Sequence, residues 1–166
     1  PGTAPASAGA IHGQCVGRGA RGPPVILYVD TSSLVKLYVQ EAGTEDVHEL
    51  VEKASLVVTS QVAYPEARAA LARRRRERVL GPKVFAAAKR ALEADWPGYV
   101  AIAATGALCR EAGDLAERYR LRGFDSIHLA SFAEILRGNQ GRTNVHFSSF
   151  DDRLNRAARR LPRTLA

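Results

Sequence analysis

The stretch Tyr28-Val29-Asp30-Thr31-Ser32-Ser33-Leu34 determines how the rest of this chain is interpreted. It completes the apolar run Val25–Val29, a pattern that indicates a buried strand, and a helical pattern follows from Leu34. The strand therefore stops at a carboxylate, Asp30. In an open α/β sheet, ligands bind at the carboxyl ends of the strands, so Asp30 is a candidate site residue. A simple N-cap of the next helix is the alternative that these residues alone leave open.

The composition is that of a globular protein with a basic surface. The chain has 166 residues, enough for one domain with a proper core, and 46% of them are hydrophobic. No apolar stretch approaches the ~18 residues of a membrane span, so no membrane partner is expected. The net charge of +7 indicates a polyanionic partner. Cys15 and Cys109 lack zinc or disulfide spacing, which fits a reducing cytoplasm, and Cys109 is predicted to be a small core residue.

The first 24 residues differ in composition from the remainder. They hold six of the 14 glycines and four of the 8 prolines, with no Asp or Glu. Such a segment cannot bury enough surface to order itself, so we expect residues 1–24 to be a disordered tail and residues 25–166 to be the folded domain. The chain has no methionine, and a valine start codon at Val25 would explain both facts. A cloning remnant and a native arm are the other interpretations of the tail.

Apolar runs alternate with helical patterns along the rest of the chain. Four strands are predicted, at residues 25–29, 56–59, 99–102 and 145–148. Strands separated by helices predict a central, mainly parallel sheet of four or five strands between two helix layers. The expected fold is therefore a three-layer α/β/α sandwich. We also expect Thr44, Ser60 and Asp125 to cap the helices that they begin.

Four carboxylates occupy equivalent positions in this arrangement, near strand ends or helix starts. In chain order they are Asp30, Glu66, Asp125 and Asp151. Because such positions share one edge of a parallel sheet, the four side chains could converge. Packed carboxylates repel one another and raise each other's pKa, and a divalent cation relieves that repulsion. A set of oxygen ligands without His or Cys suits Mg²⁺ and argues against zinc, and such a metal could activate water against a phosphodiester.

Four segments, in order, resemble the motifs of the PIN-domain family. They are YVDTSSLVKLY at 28–38, YPEARAAL at 64–71, RGFDSIHLA at 122–130 and SSFDDRL at 148–154. The resemblance covers about residues 25–160 and is most similar to VapC-type toxins of prokaryotic toxin–antitoxin pairs. It implies a Mg²⁺- or Mn²⁺-dependent endoribonuclease that uses the four carboxylates, a homodimer, and a cognate VapB-type antitoxin that blocks the site. A catalytically silent PIN module that binds nucleic acid or protein is the alternative.

Residues around the acids suggest auxiliary roles. The hydroxyl residues Thr31, Ser32 and Ser149 are expected to orient the carboxylates or their waters. The run Arg73-Arg74-Arg75-Arg76 covers all sides of a helix, so at least one arginine should face the groove beside the acids and bind RNA phosphates. Arg122 is a further candidate for this role. A solvated helix face and an ordinary surface loop are the respective alternatives.

Three positions in these motifs need separate interpretation. Pro65 directly precedes Glu66 within the expected helix, where it could kink the helix and re-aim the carboxylate. Asp152 directly follows Asp151, and we favour Asp151 because it keeps the hydroxyl residue two positions before the acid. For His128, a hydrogen-bonded core position is favoured over a general base.

Overall fold

The computed structural model describes residues 23–162, and the predicted tail therefore lies outside the described residues except for its last two positions. The strands are β1 (Val25–Val29), β2 (Leu56–Ser60), β3 (Val100–Ile102) and β4 (Asn144–Ser148). The helices are α1 (Thr31–Lys36), α2 (Thr44–Lys53), α3 (Ala63–Arg76), α4 (Pro82–Asp95), α5 (Gly106–Tyr119), α6 (Gly123–Asn139) and α7 (Asp152–Ala158). None of the helices in this part of the chain is long and apolar enough to cross a membrane.

The sheet has the order β3-β2-β1-β4, and every pair in it is parallel. This confirms the predicted three-layer α/β/α sandwich, with four strands. The chain moves outward from β1 through β2 to β3 and then returns to the other side of β1 as β4. That reversal creates a topological switch point between β1 and β4, where a crevice opens at the carboxyl ends of the two strands.

The core consists of two hydrophobic clusters, one on each face of the sheet. Leu27 and Val29 of β1 pack with α1 to α4, whereas Tyr28 between them packs with α5 to α7. Right-handed crossovers require this division, because the connecting helices change face when the chain reverses direction along the sheet. Burial on both faces explains why β1 is a continuous apolar run rather than an alternating one.

The start of α3 corrects two expectations. Ser60 does not cap this helix, because it is still part of β2 and pairs with Ile102 of β3. The helix therefore begins at Ala63, which places Pro65 in its first turn, where a missing N–H removes no helical hydrogen bond. The N–H of Glu66 donates to Val62 O at 3.2 Å, so the proposed cause of a kink is gone.

The starts of α2 and α6 also differ from the prediction. Asp125 lies in the first turn of α6 rather than at its cap, which falls on Arg122. Gly43, with a φ of 84°, precedes α2, and the Thr44 side chain makes no cap hydrogen bond. The Thr44 hydroxyl instead accepts from the N–H of Glu41 and donates to a carbonyl of the preceding turn. Tertiary contacts thus override local capping preference at both helices.

Cys109 is exposed, which corrects its prediction as a core residue. The buried face of α5 passes through Leu108, Ala112 and Leu115, at the spacing of one helical stripe. Cys109 lies one residue beyond that stripe, and its thiol approaches Ala104 O at 3.6 Å. The apolar residues around Cys109 correctly indicated that α5 has a buried face, but they did not show that Cys109 lies outside it.

Candidate active site

A cavity of about 660 Å³ lies at the switch point between β1 and β4. All four predicted acids, Asp30, Glu66, Asp125 and Asp151, line it, and we name it the carboxylate cavity. The expected convergence of these side chains at one edge of the sheet is therefore observed. Asp152 is exposed and does not line the cavity. The geometry thus favours Asp151 over Asp152 as the fourth member.

Asp30 combines the two roles that the sequence left open. It is the N-cap of α1, since its Oδ1 accepts from the N–H of Ser33 at 2.9 Å, and it also lines the cavity. Its side chain accepts further hydrogen bonds from Ser32 Oγ at 2.7 Å and from Ser149 Oγ at 2.7 Å. With 5% of its surface exposed, Asp30 is a nearly buried carboxylate held on both oxygens.

The two serines that hold Asp30 are themselves oriented by the backbone. Ser32 Oγ accepts from the N–H of Phe150 at 2.7 Å, and Ser149 Oγ accepts from the N–H of Asp151 at 3.0 Å. Each hydroxyl hydrogen is therefore available to donate to Asp30. These bonds join the start of α1 to the loop that follows β4, so the predicted roles of Ser32 and Ser149 as orienting groups have the required contacts.

Glu66, another acid of the cavity, is held by a second network. Thr31 Oγ1 donates to Glu66 Oε2 at 2.6 Å, and His128 Nε2 lies 3.0 Å from the same oxygen. His128 Nδ1 in turn lies 2.9 Å from the hydroxyl of Tyr28. His128 is 2% exposed, which confirms the prediction of a hydrogen-bonded core histidine. Its contact with Glu66 was not predicted, because 62 residues separate the two.

The hydrogen positions in this network follow from the donor inventory. Burial raises the pKa of Tyr28 well above its ordinary value, so its hydroxyl stays protonated and can donate to His128 Nδ1. An ionised Glu66 can only accept, so His128 Nε2 carries the hydrogen that points to it. The buried chain from Tyr28 through His128 therefore fixes one oxygen of Glu66 in the cavity.

Asp125 differs from the other acids because its carboxylate accepts no hydrogen bond from the residues that the structure describes. Burial has the largest effect on its pKa and raises it, and the negative charge of Asp151 raises the pKa further. The positive charge of Arg122 opposes both effects. The mutual repulsion predicted from the sequence thus has its clearest effect at Asp125.

The cavity suits a hard cation that keeps several of its waters better than a cation coordinated by protein groups alone. Within residues 23–162, no group of three or more His, Cys, Asp or Glu side chains could hold a metal ion. Mg²⁺ needs fewer protein ligands, since it keeps several waters and is bound through one or two carboxylates. Among the described residues, no cysteine lines the cavity, its one histidine, His128, is bound to Glu66, and the two oxygens of Asp30 are already oriented by hydroxyl groups.

Five cationic side chains and a fifth acid, Glu41, also line the cavity. Arg75 does not line the cavity, so an RNA contact through Arg75 has no position there. The other three arginines of the run line the cavity. Arg74 and Lys36 both bind Glu41, at 2.7 and 2.8 Å. The five acids are thus matched by five cations: Lys36, Arg73, Arg74, Arg76 and Arg122.

Two exposed phenylalanines on the cavity rim were missed from the sequence. Phe124 is 55% exposed and Phe150 is 47% exposed, and both line the cavity. The Lys36 ammonium lies 4.1 Å from the centre of the Phe150 ring, which holds that ring in place. The available signal was their position, since each directly precedes one of the predicted acids.

Comparison with known proteins supports the resemblance to the PIN-domain family independently of the cavity. The family model described as PIN domain matches residues 27–160, which include all four motif acids. Ribonuclease VapC45 of Mycobacterium tuberculosis (strain CDC 1551 / Oshkosh) and ribonuclease VapC49 of strain ATCC 25618 / H37Rv are each 37% identical to this chain over 106 residues. Each alignment covers 64% of this chain and 74% of the relative.

Proposed function

Because the chain belongs to the PIN domain family, we propose that it is a Mg²⁺- or Mn²⁺-dependent endoribonuclease, the toxin of a toxin–antitoxin pair. The observation that carries this function is the meeting of the four carboxylates in one cavity that five cationic side chains also line. RNA as the substrate is supported by the two mycobacterial relatives, both of which are named ribonucleases.

The carboxylates Asp30, Glu66, Asp125 and Asp151 would hold the cation together with its waters, one or two of them in direct contact with it, and three of the four accept hydrogen bonds from the chain. When bound there, the cation supplies Lewis-acid activation of water and stabilises charge on the phosphodiester. Ser32 and Ser149 fix the orientation of Asp30, and Thr31 with His128 fixes that of Glu66.

Three arginines of the carboxylate cavity, Arg73, Arg76 and Arg122, bind the phosphates that flank the cleaved bond. Their guanidinium groups form no ion pair among the described residues, whereas Arg74 is already paired with Glu41. A free guanidinium offers a planar fork of donors that matches phosphate geometry. Arg74 therefore contributes to the shape of the cavity rather than to the contact with RNA.

The proposed function carries three further expectations about the setting of the protein. A VapB-type antitoxin would cover the carboxylate cavity, the active form would be a homodimer, and the protein would act in the cytoplasm, where RNA is available. The VapC names of the relatives support the antitoxin partner. Copurification from cells that express both proteins, followed by measurement of the mass of the complex, tests partner and stoichiometry together.

The decisive experiment measures RNA cleavage by purified protein over a titration of Mg²⁺ and of Mn²⁺. Asp125→Asn should abolish cleavage, because it removes an acid that lines the cavity. Asp114→Asn is the matched control, since Asp114 is exposed on α5 and does not line the carboxylate cavity. Metal-independent cleavage, or equal cleavage by both variants, would exclude this site. RNA binding without any cleavage by the wild type would instead favour the silent PIN module.

A further inference from the structure

A second cavity, of about 280 Å³, has a purely cationic polar lining apart from one tyrosine. We name it the arginine cavity. No acidic side chain lines it. Its lining consists of Arg118, Tyr119, Arg120, Arg153, Arg156, Ala157 and Arg160.

The arginine cavity forms where the end of α5 meets α7. Arg153 and Arg156 lie one turn apart on α7, and Arg160 follows in the turn after the helix. Arg153 Nη1 donates to Arg120 O at 3.0 Å, which joins the two segments. In the part of the chain that the structure describes, none of the five guanidinium groups forms an ion pair. Five like charges thus gather without an ion pair, an arrangement that an anionic ligand would stabilise.

Two short segments of the chain connect this cavity to the carboxylate cavity. Arg120 lines the arginine cavity and Arg122 lines the carboxylate cavity. In the same way, Asp151 lines one cavity and Arg153 lines the other. Two residues span at most about 7 Å of extended chain, so the cavities are neighbours on one surface.

We propose that the arginine cavity binds the phosphodiester backbone of the RNA strand whose cleaved bond lies in the carboxylate cavity. This inference rests on the proposed function. In the carboxylate cavity, acids and cations are equal in number, so that cavity attracts a polyanion only weakly before a metal binds. The arginine cavity supplies unopposed positive charge beside it, and phosphate contacts of this kind provide most of the sequence-independent affinity for nucleic acid.

The geometry favours a nucleic acid over an acidic protein segment. The arginine cavity and the cavity that holds the catalytic candidates are two residues of chain apart at two places, and a single RNA strand has a phosphate at every nucleotide with which to reach both. Arginine forks also match phosphate oxygens in a bidentate manner. Tyr119 is half-buried in the lining, and the Arg118 guanidinium lies over its ring at 5.4 Å from the ring centre, which orients one of the five arginines.

The test is equilibrium binding of a fluorescently labelled single-stranded RNA, in an Asp125→Asn background that prevents cleavage. The Arg156→Ala, Arg160→Ala double variant should raise Kd by about tenfold and lower the salt slope of log K by about 0.7 for each lost phosphate contact. The control is Lys53→Ala with Arg142→Ala, which removes the same charge from exposed residues that precede β2 and β4, at the opposite edge of the sheet. It should leave Kd and slope close to those of the background.

Arg120→Gly gives a second variant, which we expect to fold normally. Arg120 has a φ of 55°, a conformation that glycine adopts more easily than arginine, so this change removes a charge without adding strain. It should also weaken RNA binding, while the thermal melting temperature is unchanged or higher.

Three outcomes would overturn the inference. If the background binds RNA and both double variants bind it equally well, the arginine cavity does not contact the RNA. If the cavity variants keep their RNA affinity but lose affinity for a poly-glutamate peptide, the cavity serves an acidic protein segment instead. If wild type neither binds nor cleaves RNA, the proposed function itself fails, and the inference fails with it.

Discussion

The carboxylate cavity and the arginine cavity lie side by side but balance their charges differently. The first pairs five acids with five cations, and the second has five cations alone. In the carboxylate cavity, two of the cations are already bound to Glu41, so part of the positive charge maintains the shape of the site. Chemistry on a phosphodiester requires acids that repel the substrate, and the neighbouring unpaired arginines offset that repulsion.

The acids of the carboxylate cavity are themselves of two kinds. Asp30 is nearly buried and accepts hydrogen bonds on both oxygens, whereas the carboxylate of Asp125 accepts none from the described residues. Hydrogen bonds compensate Asp30 for its burial, while Asp125 bears the repulsion of its neighbours. The carboxylate of Asp30 therefore stabilises the fold, whereas that of Asp125 destabilises it.

The largest expected effect separates Asp151 from Asp152. Asp151→Asn should lower the rate of RNA cleavage by at least about 100-fold, since loss of supporting contacts at metal sites already costs 10–100-fold. Asp152→Asn should stay within about twofold of wild type, because its side chain lies outside the cavity. Rates measured under single-turnover conditions compare the two. A larger loss at Asp152 would contradict the assignment.

Metal should stabilise the protein through the carboxylate cavity alone. A ligand that binds only the folded state adds about 2.7 kcal/mol to the free energy of unfolding at a concentration of 100 Kd. Wild type and the Arg156→Ala, Arg160→Ala variant should therefore gain equal melting temperature on addition of Mn²⁺, and Asp125→Asn should gain much less. Thermal melts with EDTA and with Mn²⁺ measure this. An equal gain in all three proteins would show that the metal binds elsewhere.

Without metal, the two kinds of acid should respond oppositely to the same substitution. Charge repulsion alone would lead one to expect that both Asn variants are stabilised. Asp30→Asn, however, places an amide donor against the hydroxyls of Ser32 and Ser149, which already donate toward it, and should lower the free energy of unfolding by ~1–2 kcal/mol. Asp125→Asn should raise it by up to ~1 kcal/mol. Urea denaturation in EDTA measures both changes in the free energy of unfolding. If both variants change it in the same direction, Asp30 and Asp125 do not differ in the way described.

The smallest expected effect concerns Glu41, the acid that neutralises Lys36 and Arg74. Burial alone would raise the pKa of Glu41, but the hydrogen bond from Lys36 and the charge of Arg74 lower it below its ordinary value of 4.5. A lowered pKa in the folded state gives stability that is present above pH 4.5 and is lost as the pH falls through the lowered pKa.

Wild type should therefore lose more unfolding free energy on acidification than Glu41→Gln, by less than about 1 kcal/mol, because the pair is partly exposed. Denaturation curves at several acidic pH values measure the difference. Glu45→Gln is the control, since Glu45 is exposed and has no ion pair within the described part of the chain. An identical pH response of wild type and Glu41→Gln would show that this network does not stabilise the fold.

The sequence predicted the strands of the sheet more reliably than the helix starts. The apolar run at 25–29 is buried on both faces, so its pattern is visible in any short window. The start of α3 was predicted too early, because Ser60 is an attractive local cap and its pairing with Ile102 lies 42 residues away. A local cap contributes about 1 kcal/mol, which pairing and burial in the sheet readily exceed.

Local pattern by itself determined the alternation of strands and helices, and from it the parallel sheet and the edge at which the four acids would meet. That succeeded because parallel strands all end at the same edge of the sheet. Only the tertiary structure decided how each acid is held: Asp30 by a serine of α1 and a serine of the loop after β4, Glu66 by His128, and Asp125 by nothing in the described chain. It also decided that α7 meets the end of α5, so that five arginines from two distant segments form one cavity. The physical reason is that side-chain hydrogen bonds and charge act across a few ångströms of space, whatever the separation along the chain.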